Sequence, residues 1–350
     1  MLNKGTEMRY IFLLFILSLI VNAATFEYFF DKISDYNVKG VKIDLNDPLV
    51  KIKLGLAQDK IGRTESLANI AKRNDAKAAI NGSFFDAYTS NELKNPDMSL
   101  IRNGKLIYKS DIGSIIGFNS NNKPVIARVK YSLWGDVTSA EGKLRQWHAY
   151  WINRKPTSSP CVTVFTTEWG SSVQYYGGTM IVVSGGIISS ISNQSVQIPA
   201  DGYVINIIGD NKLLSYFGKG NKINFTPKIE VDGCEKTTWG NVMIGVGGGP
   251  RVLVKGITQF NPSNELFSDP KILERSGARS AIGYTADNKL ILITISSAKV
   301  HDLGRVLKSL GCTDGMNLDG GASSGLWFNG KMIVTPGRQI SNALCFSMKN

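Results

Sequence analysis

Short apolar runs closed off by glycine, asparagine, aspartate or proline recur along the whole chain, and this punctuation restricts the fold more than any other feature. Val50–Leu56 (VKIKLGL) alternates residue by residue, as a half-buried strand does. Comparable runs lie at Ala78–Asn81, Ile115–Phe118, Val125–Val129, Val162–Phe165, Met180–Val183 and Tyr203–Ile208. The series continues with Val242–Val246, Arg251–Val254, Ser280–Tyr284, Leu290–Ser296 and Leu344–Met348. Only two segments carry helical periodicity. Thr64 can cap a helix reaching about Arg73, with Leu67, Ile70 and Ala71 on one face. A second helix runs from about His301 to Leu310, with Leu303, Val306, Leu307 and Leu310 as its stripe and Gly311 as its stop. This pattern predicts an α+β protein: a large, mixed, mostly antiparallel β-sheet system with few helices. Residues 124–223 carry almost no helix signal and are either a β-rich insertion or a separate β subdomain.

The first residues read as an export signal. Lys4 and Arg9 precede the apolar run Ile11–Val21, and Ala23 offers a small-residue exit. We expect residues 1–23 to be removed and residues 24–350 to work in the extracellular space, periplasm or cell envelope, with no stable membrane span after cleavage. The net charge of +12 suits an anionic partner such as a phosphorylated glycan. Lys and Arg are spread along the chain with no basic arm, so no nucleic-acid partner is expected. Cys161, Cys234, Cys312 and Cys345 lack metal-ligand spacing, and the only histidines are His148 and His301, so neither a metal nor another cofactor is expected. The four thiols either form up to two disulfides or stay free.

Two segments place unusual polar residues at strand ends. In GMNLDGGASSG, Asp319 ends an apolar stretch and is followed by Gly320, Gly321, Ser323 and Ser324. Paired glycines let backbone approach a ligand, the hydroxyls can bond sugar oxygens, and the carboxylate can stabilise positive charge. A plain Asp-Gly hairpin turn is the alternative. AAINGSFFD repeats the form with Asn81, Gly82 and Asp86, and offers Phe84 or Phe85 for stacking on a sugar face. The run GVGGGP, with Gly248 and Gly249, precedes a strand and not a helix, so it is no dinucleotide loop. Arg279 and Arg338 carry planar guanidinium groups able to fork a phosphate.

Taken in order, AAINGSFFD, GVGGGPRVLVKG, ARSAIGYTADNKLILIT, NLDGGASSG and RQISNAL resemble the phosphodiester glycosidase family. The resemblance extends over roughly residues 38–350, more loosely through the middle third. Ser83, Ser280 and Ala322 depart from the residues usual in that family. The resemblance implies an exported hydrolase that removes a sugar, with α-N-acetylglucosamine as the family's example, from a sugar-1-phosphodiester in a glycan or envelope polymer. It implies Asp319, Arg279 and Arg338 as catalytic residues. Asn81, Gly82, Asp86, Gly248, Gly249, Asn317, Gly320, Gly321, Ser323 and Ser324 would line the substrate site. A non-catalytic carbohydrate-binding or envelope-assembly protein on the same fold is the competing reading. A phosphate monoester leaves readily as an anion, its second pKa being about 6, so charge stabilisation matters more here than protonation of the leaving group.

Overall fold

The computed structural model describes residues 25–349; the export segment expected at 1–23 lies outside the described residues. Strands dominate, in sheets of seven, thirteen and five strands with one further two-stranded ribbon. Strand ladders are antiparallel except the short pairing of Trp151–Ile152 with Cys161–Phe165. The fold is α+β and mostly antiparallel, as the punctuation requires. The strand signals recur in place, several of them lengthened: Val125–Val129 becomes Pro124–Thr138 and Ser280–Tyr284 becomes Gly277–Thr285. Residues 124–223 supply strands of the thirteen-stranded sheet, which also contains Ser114–Asn119 and Val242–Gly248.

The hairpin Phe26–Ile33/Tyr36–Asp44 had no distinct signal, because its first strand forms a sheet edge and leaves Phe30 exposed. The first helix starts later than expected, at Leu67–Arg73. Ser66, not Thr64, is its cap and accepts from the Asn69 N–H, while Thr64 turns its hydroxyl to Gln339. The second helix, Asp302–Ser309, lies where its stripe placed it and stops before Gly311, at φ 83°.

One apolar core joins the three sheets. Val41, Leu292 and Met316 from the seven-stranded sheet meet Leu54, Ile80 and Phe346 from the five-stranded sheet and Ile116, Phe118 and Val246 from the thirteen-stranded one. Each helix covers the opposite face of one sheet. Leu303, Val306 and Leu307 pack on Ile291, Ile293 and Ile295, and Leu67 and Ile70 pack on Ala79 and Ala343. Each of these fully buried large aliphatic side chains contributes about 1.5–3 kcal/mol. The result holds the end of Ala78–Asn81 beside the end of Cys312–Asn317, and both sequence-marked loops begin there.

Candidate active site

The two loops are bonded together before any ligand enters. The Asn81 amide donates to the Asp319 carbonyl at 2.7 Å, and the Asp319 N–H donates to the Gly82 carbonyl at 3.1 Å. Asn81 Oδ1 accepts from Ser280 Oγ at 2.7 Å and from the Gly325 N–H at 3.0 Å. With only 1% of its surface exposed, Asn81 is a structural tie between the loops. Gly82 is required by packing, since a Cβ there would lie 2.0 Å from Asn342 Oδ1. That Asn342 amide accepts from the Ser83 N–H at 3.0 Å and donates to Ser83 Oγ at 2.7 Å.

Beyond this tie opens a cavity of ≈ 940 Å³. Asp86, Arg279, Asp319, Gly320, Gly321 and Arg338 line it. Asn81, Gly82, Gly248, Gly249, Asn317, Ser323 and Ser324 do not: they stand behind its wall. Gly249 and Asn317 exchange bonds, N–H to carbonyl at 2.6 Å and Asn317 amide to Gly249 carbonyl at 2.8 Å. A Cβ at Gly248 would come within 2.8 Å of the Asn317 carbonyl, so these glycines serve close strand packing and not ligand approach. Phe84 lines the cavity while tilted against Phe267 at 5.9 Å, and Phe85 is buried. His301 sits at the helix start, against Phe260.

Electrostatics concentrate on two carboxylates. Removal from water pushes Asp319 up to about 7, against the opposing effects of the Ser323 hydroxyl and the Arg338 guanidinium. Asp97, open to the same cavity, is pushed to about 6 by desolvation and by Asp86, with Arg154 opposing. The negative charge of Asp97 adds to the rise at Asp319. Asp97 had no sequence signal, because Asn95-Pro96-Asp97 reads as an ordinary turn. It is held by a bridge between Phe85 and Pro96 and by its N–H donating to the Phe84 carbonyl at 2.9 Å.

Arg279 departs from its expected role as a phosphate fork. Nε donates to the Ala298 carbonyl at 3.0 Å, and Nη2 donates to the carbonyls of Lys271 at 2.8 Å and Arg275 at 2.6 Å. Those bonds use Nε and Nη2, leaving Nη1 beside Gly320 as the donor that can face the cavity. Arg279 is only 4% exposed, and among the described residues no carboxylate lies within ion-pair distance. It suspends the Pro270–Leu273 turn, which brings Lys271 to the cavity. Arg338 donates to Tyr88 Oη at 2.7 Å and stacks over its ring at 4.6 Å, with Lys271 Nζ 4.7 Å from the same ring. Also lining the cavity, Arg154 lies over Trp151 at 4.1 Å. Lys271, Arg154 and Trp151 carry no sequence signal: they lie in a four-residue helix, a loop and a two-residue strand, too short for a lone cation or aromatic to form a pattern.

Fold and site together define an antiparallel α+β protein with a cavity lined by five aspartates, Asp319 and Asp97 among them, and six lysines and arginines. Residues 177–347 match the family model described as phosphodiester glycosidase, and the resemblance carried by the NLDGGASSG and ARSAIGY segments is borne out over that span. No curated protein matches the chain by sequence. Among solved structures, a hypothetical protein from Synechocystis is similar at 23% identity and TM-score 0.75, over 92% of this chain. This chain spans only 61% of the Synechocystis chain. A candidate exported protein from Burkholderia pseudomallei K96243 is similar at 18% identity and TM-score 0.72, over 89% of this chain and 74% of that one. The zebrafish N-acetylglucosamine-1-phosphodiester α-N-acetylglucosaminidase catalytic domain, auto-inhibited by its pro-peptide, is similar at 15% identity and TM-score 0.50, over 93% of this chain and 85% of that one. At these identities the structural likeness concerns the fold. Among the described residues no helix is long and apolar enough to cross a membrane.

Proposed function

We propose that this chain hydrolyses a sugar-1-phosphodiester, with water attacking the anomeric carbon and a phosphate monoester leaving. The observation that carries this reading is the placement of Asp319, with its raised proton affinity, in a cavity shared with Asp97 and with Arg338, Lys271 and Arg279, which have no carboxylate within ion-pair distance among the described residues. The C–O bond to phosphate breaks as the new C–O bond to water forms. Asp319, ionised, faces the positive charge developing on the sugar, and Asp97 takes the proton from water. Arg338 and Lys271 balance the departing phosphate, and the Nη1 group of Arg279 adds a donor from the wall. Export of the mature chain from residue 24 belongs to the same reading, and N-terminal sequencing of secreted material tests it.

The decisive experiment supplies a sugar-1-phosphodiester in oxygen-18 water to the wild type and to Asp319→Asn. The expected result is label in the released sugar and loss of nearly all turnover in the variant. Label confined to phosphate would mean P–O cleavage and end the glycosidase reading. Tight binding of the diester without turnover by the wild type would leave the chain a carbohydrate-binding protein.

A further inference from the structure

The cavity is larger than one sugar and one phosphodiester require, and four of its cations sit on aromatic rings in two groups, apart from Arg275 and Arg279. The first surrounds Tyr88, with Lys271 and Arg338 on its ring. The second surrounds Trp151, where Arg154 stacks at 4.1 Å and Lys109 approaches at 5.9 Å. Lys109 is partly neutralised by Asp111 at 3.5 Å, which leaves Arg154 as the effective charge of that group. Arg154 has no carboxylate within ion-pair distance among the described residues.

Asp319 and Asp97 line the same cavity as both groups. The Arg338 charge acts on Asp319, the Arg154 charge acts on Asp97, and Asp97 in turn acts on Asp319. All four residues line one cavity, with Arg338 seated on Tyr88 and Arg154 on Trp151. A neutral sugar held over Asp319 and Asp97, with its phosphodiester toward Arg338, would leave Arg154 with nothing to bind. A guanidinium seated over an indole keeps its N–H groups available to a planar or tetrahedral oxyanion.

We propose that the sugar released by this chain is itself acidic, carrying a phosphate or carboxylate that Arg154, seated on Trp151, recognises, while the Tyr88-seated Arg338 and Lys271 meet the scissile phosphodiester. This rests on the hydrolytic reading for the orientation of the substrate, but not for the existence of the anion site.

Two measurements separate the two ideas. The first is direct binding: calorimetric titration with N-acetylglucosamine 6-phosphate, glucuronic acid and neutral N-acetylglucosamine. At least one acidic sugar should bind tenfold or more tightly than the neutral sugar, and Arg154→Gln should reduce that ratio below about twofold; which acid prevails tells phosphate from carboxylate. The second is turnover of benzyl phosphodiesters of the same three sugars, where the acidic substrate should show at least tenfold higher kcat/KM and Arg154→Gln should collapse the preference. Lys109→Gln, a milder change at the same ring, should lower it partially. Equal binding of acidic and neutral sugars overturns the proposal, as does an Arg154→Gln variant that keeps the preference. Absence of turnover on every diester, with selective binding intact, would sink the hydrolytic reading alone.

Discussion

Asn81 and Asp319 are joined across 238 residues of sequence by an amide-to-carbonyl hydrogen bond of 2.7 Å, and the partners of Asn81 account for both ends of its side chain. Asn81→Ala would leave the Asp319 carbonyl, the Ser280 hydroxyl and the Gly325 N–H without their bonds in a buried place. We expect a loss of about 2–4 kcal/mol in denaturant unfolding, from the cost of buried unsatisfied polar groups. Asn81→Asp should be worse, because it cannot donate to the carbonyl and buries a charge.

Asp319 should cost stability where it is ionised. Its folded-state proton affinity is raised from 3.8 to about 7, so between those values the native state keeps a proton that the unfolded chain has released. Stability from this group is full below pH 3.8 and is lost as pH rises to about 7. Asp319→Asn should therefore unfold later than wild type at pH 8, by on the order of 1–2 kcal/mol after allowance for solvent in the cavity, and at the same point near pH 4. Paired melts at the two pH values measure it, while activity falls to near background.

If the working form of Asp319 is the carboxylate, kcat/KM should fall on the acid side with an apparent pKa of about 7. Asp97 raises that value through its negative charge. Asp97→Asn should thus shift the acid limb to lower pH as well as slow the reaction. An unshifted limb would mean that the two carboxylates are not coupled.

Arginine-to-lysine changes should separate the two arginines. Arg279→Lys removes the flat array that reaches Ala298, Lys271 and Arg275, so it should lower both unfolding free energy and kcat/KM. Arg338→Lys should keep stability within about 0.5 kcal/mol while losing tenfold or more in kcat/KM, which corresponds to about 1.4 kcal/mol. Denaturation curves beside kinetics for both variants distinguish a positioning role from a contact with substrate.

What could be read before the structure was what repeats or sits at a register. Alternation and turn residues gave the strands, and the Asp302–Ser309 helix showed its stripe plainly. Asp319 was legible because a carboxylate followed by paired glycines stands at the end of an apolar run. Gly82, Gly248 and Asn317 are legible as unusual, but they do not line the cavity; they bring backbones together. Nothing in the sequence marks a residue as facing an empty volume, so Asp97 and Arg154, in loops, and Lys271, in a four-residue helix, give no signal; only tertiary packing brings them together. The cap moved from Thr64 to Ser66 for a similar reason, since both are good caps and the Gln339 contact decided between them.

The cysteines carry a practical consequence. All four are free thiols; Cys161, Cys312 and Cys345 are buried, and burial pushes Cys312 and Cys345 up to about 12. Cys234 alone is partly open, with burial and Glu235 holding its thiol above the ordinary range. The fold thus calls on no oxidant, and material made under reducing conditions should be equivalent to material made without them. A maleimide dye applied to the native protein should attach slowly and at Cys234 alone, giving a single-position reporter without any engineered substitution.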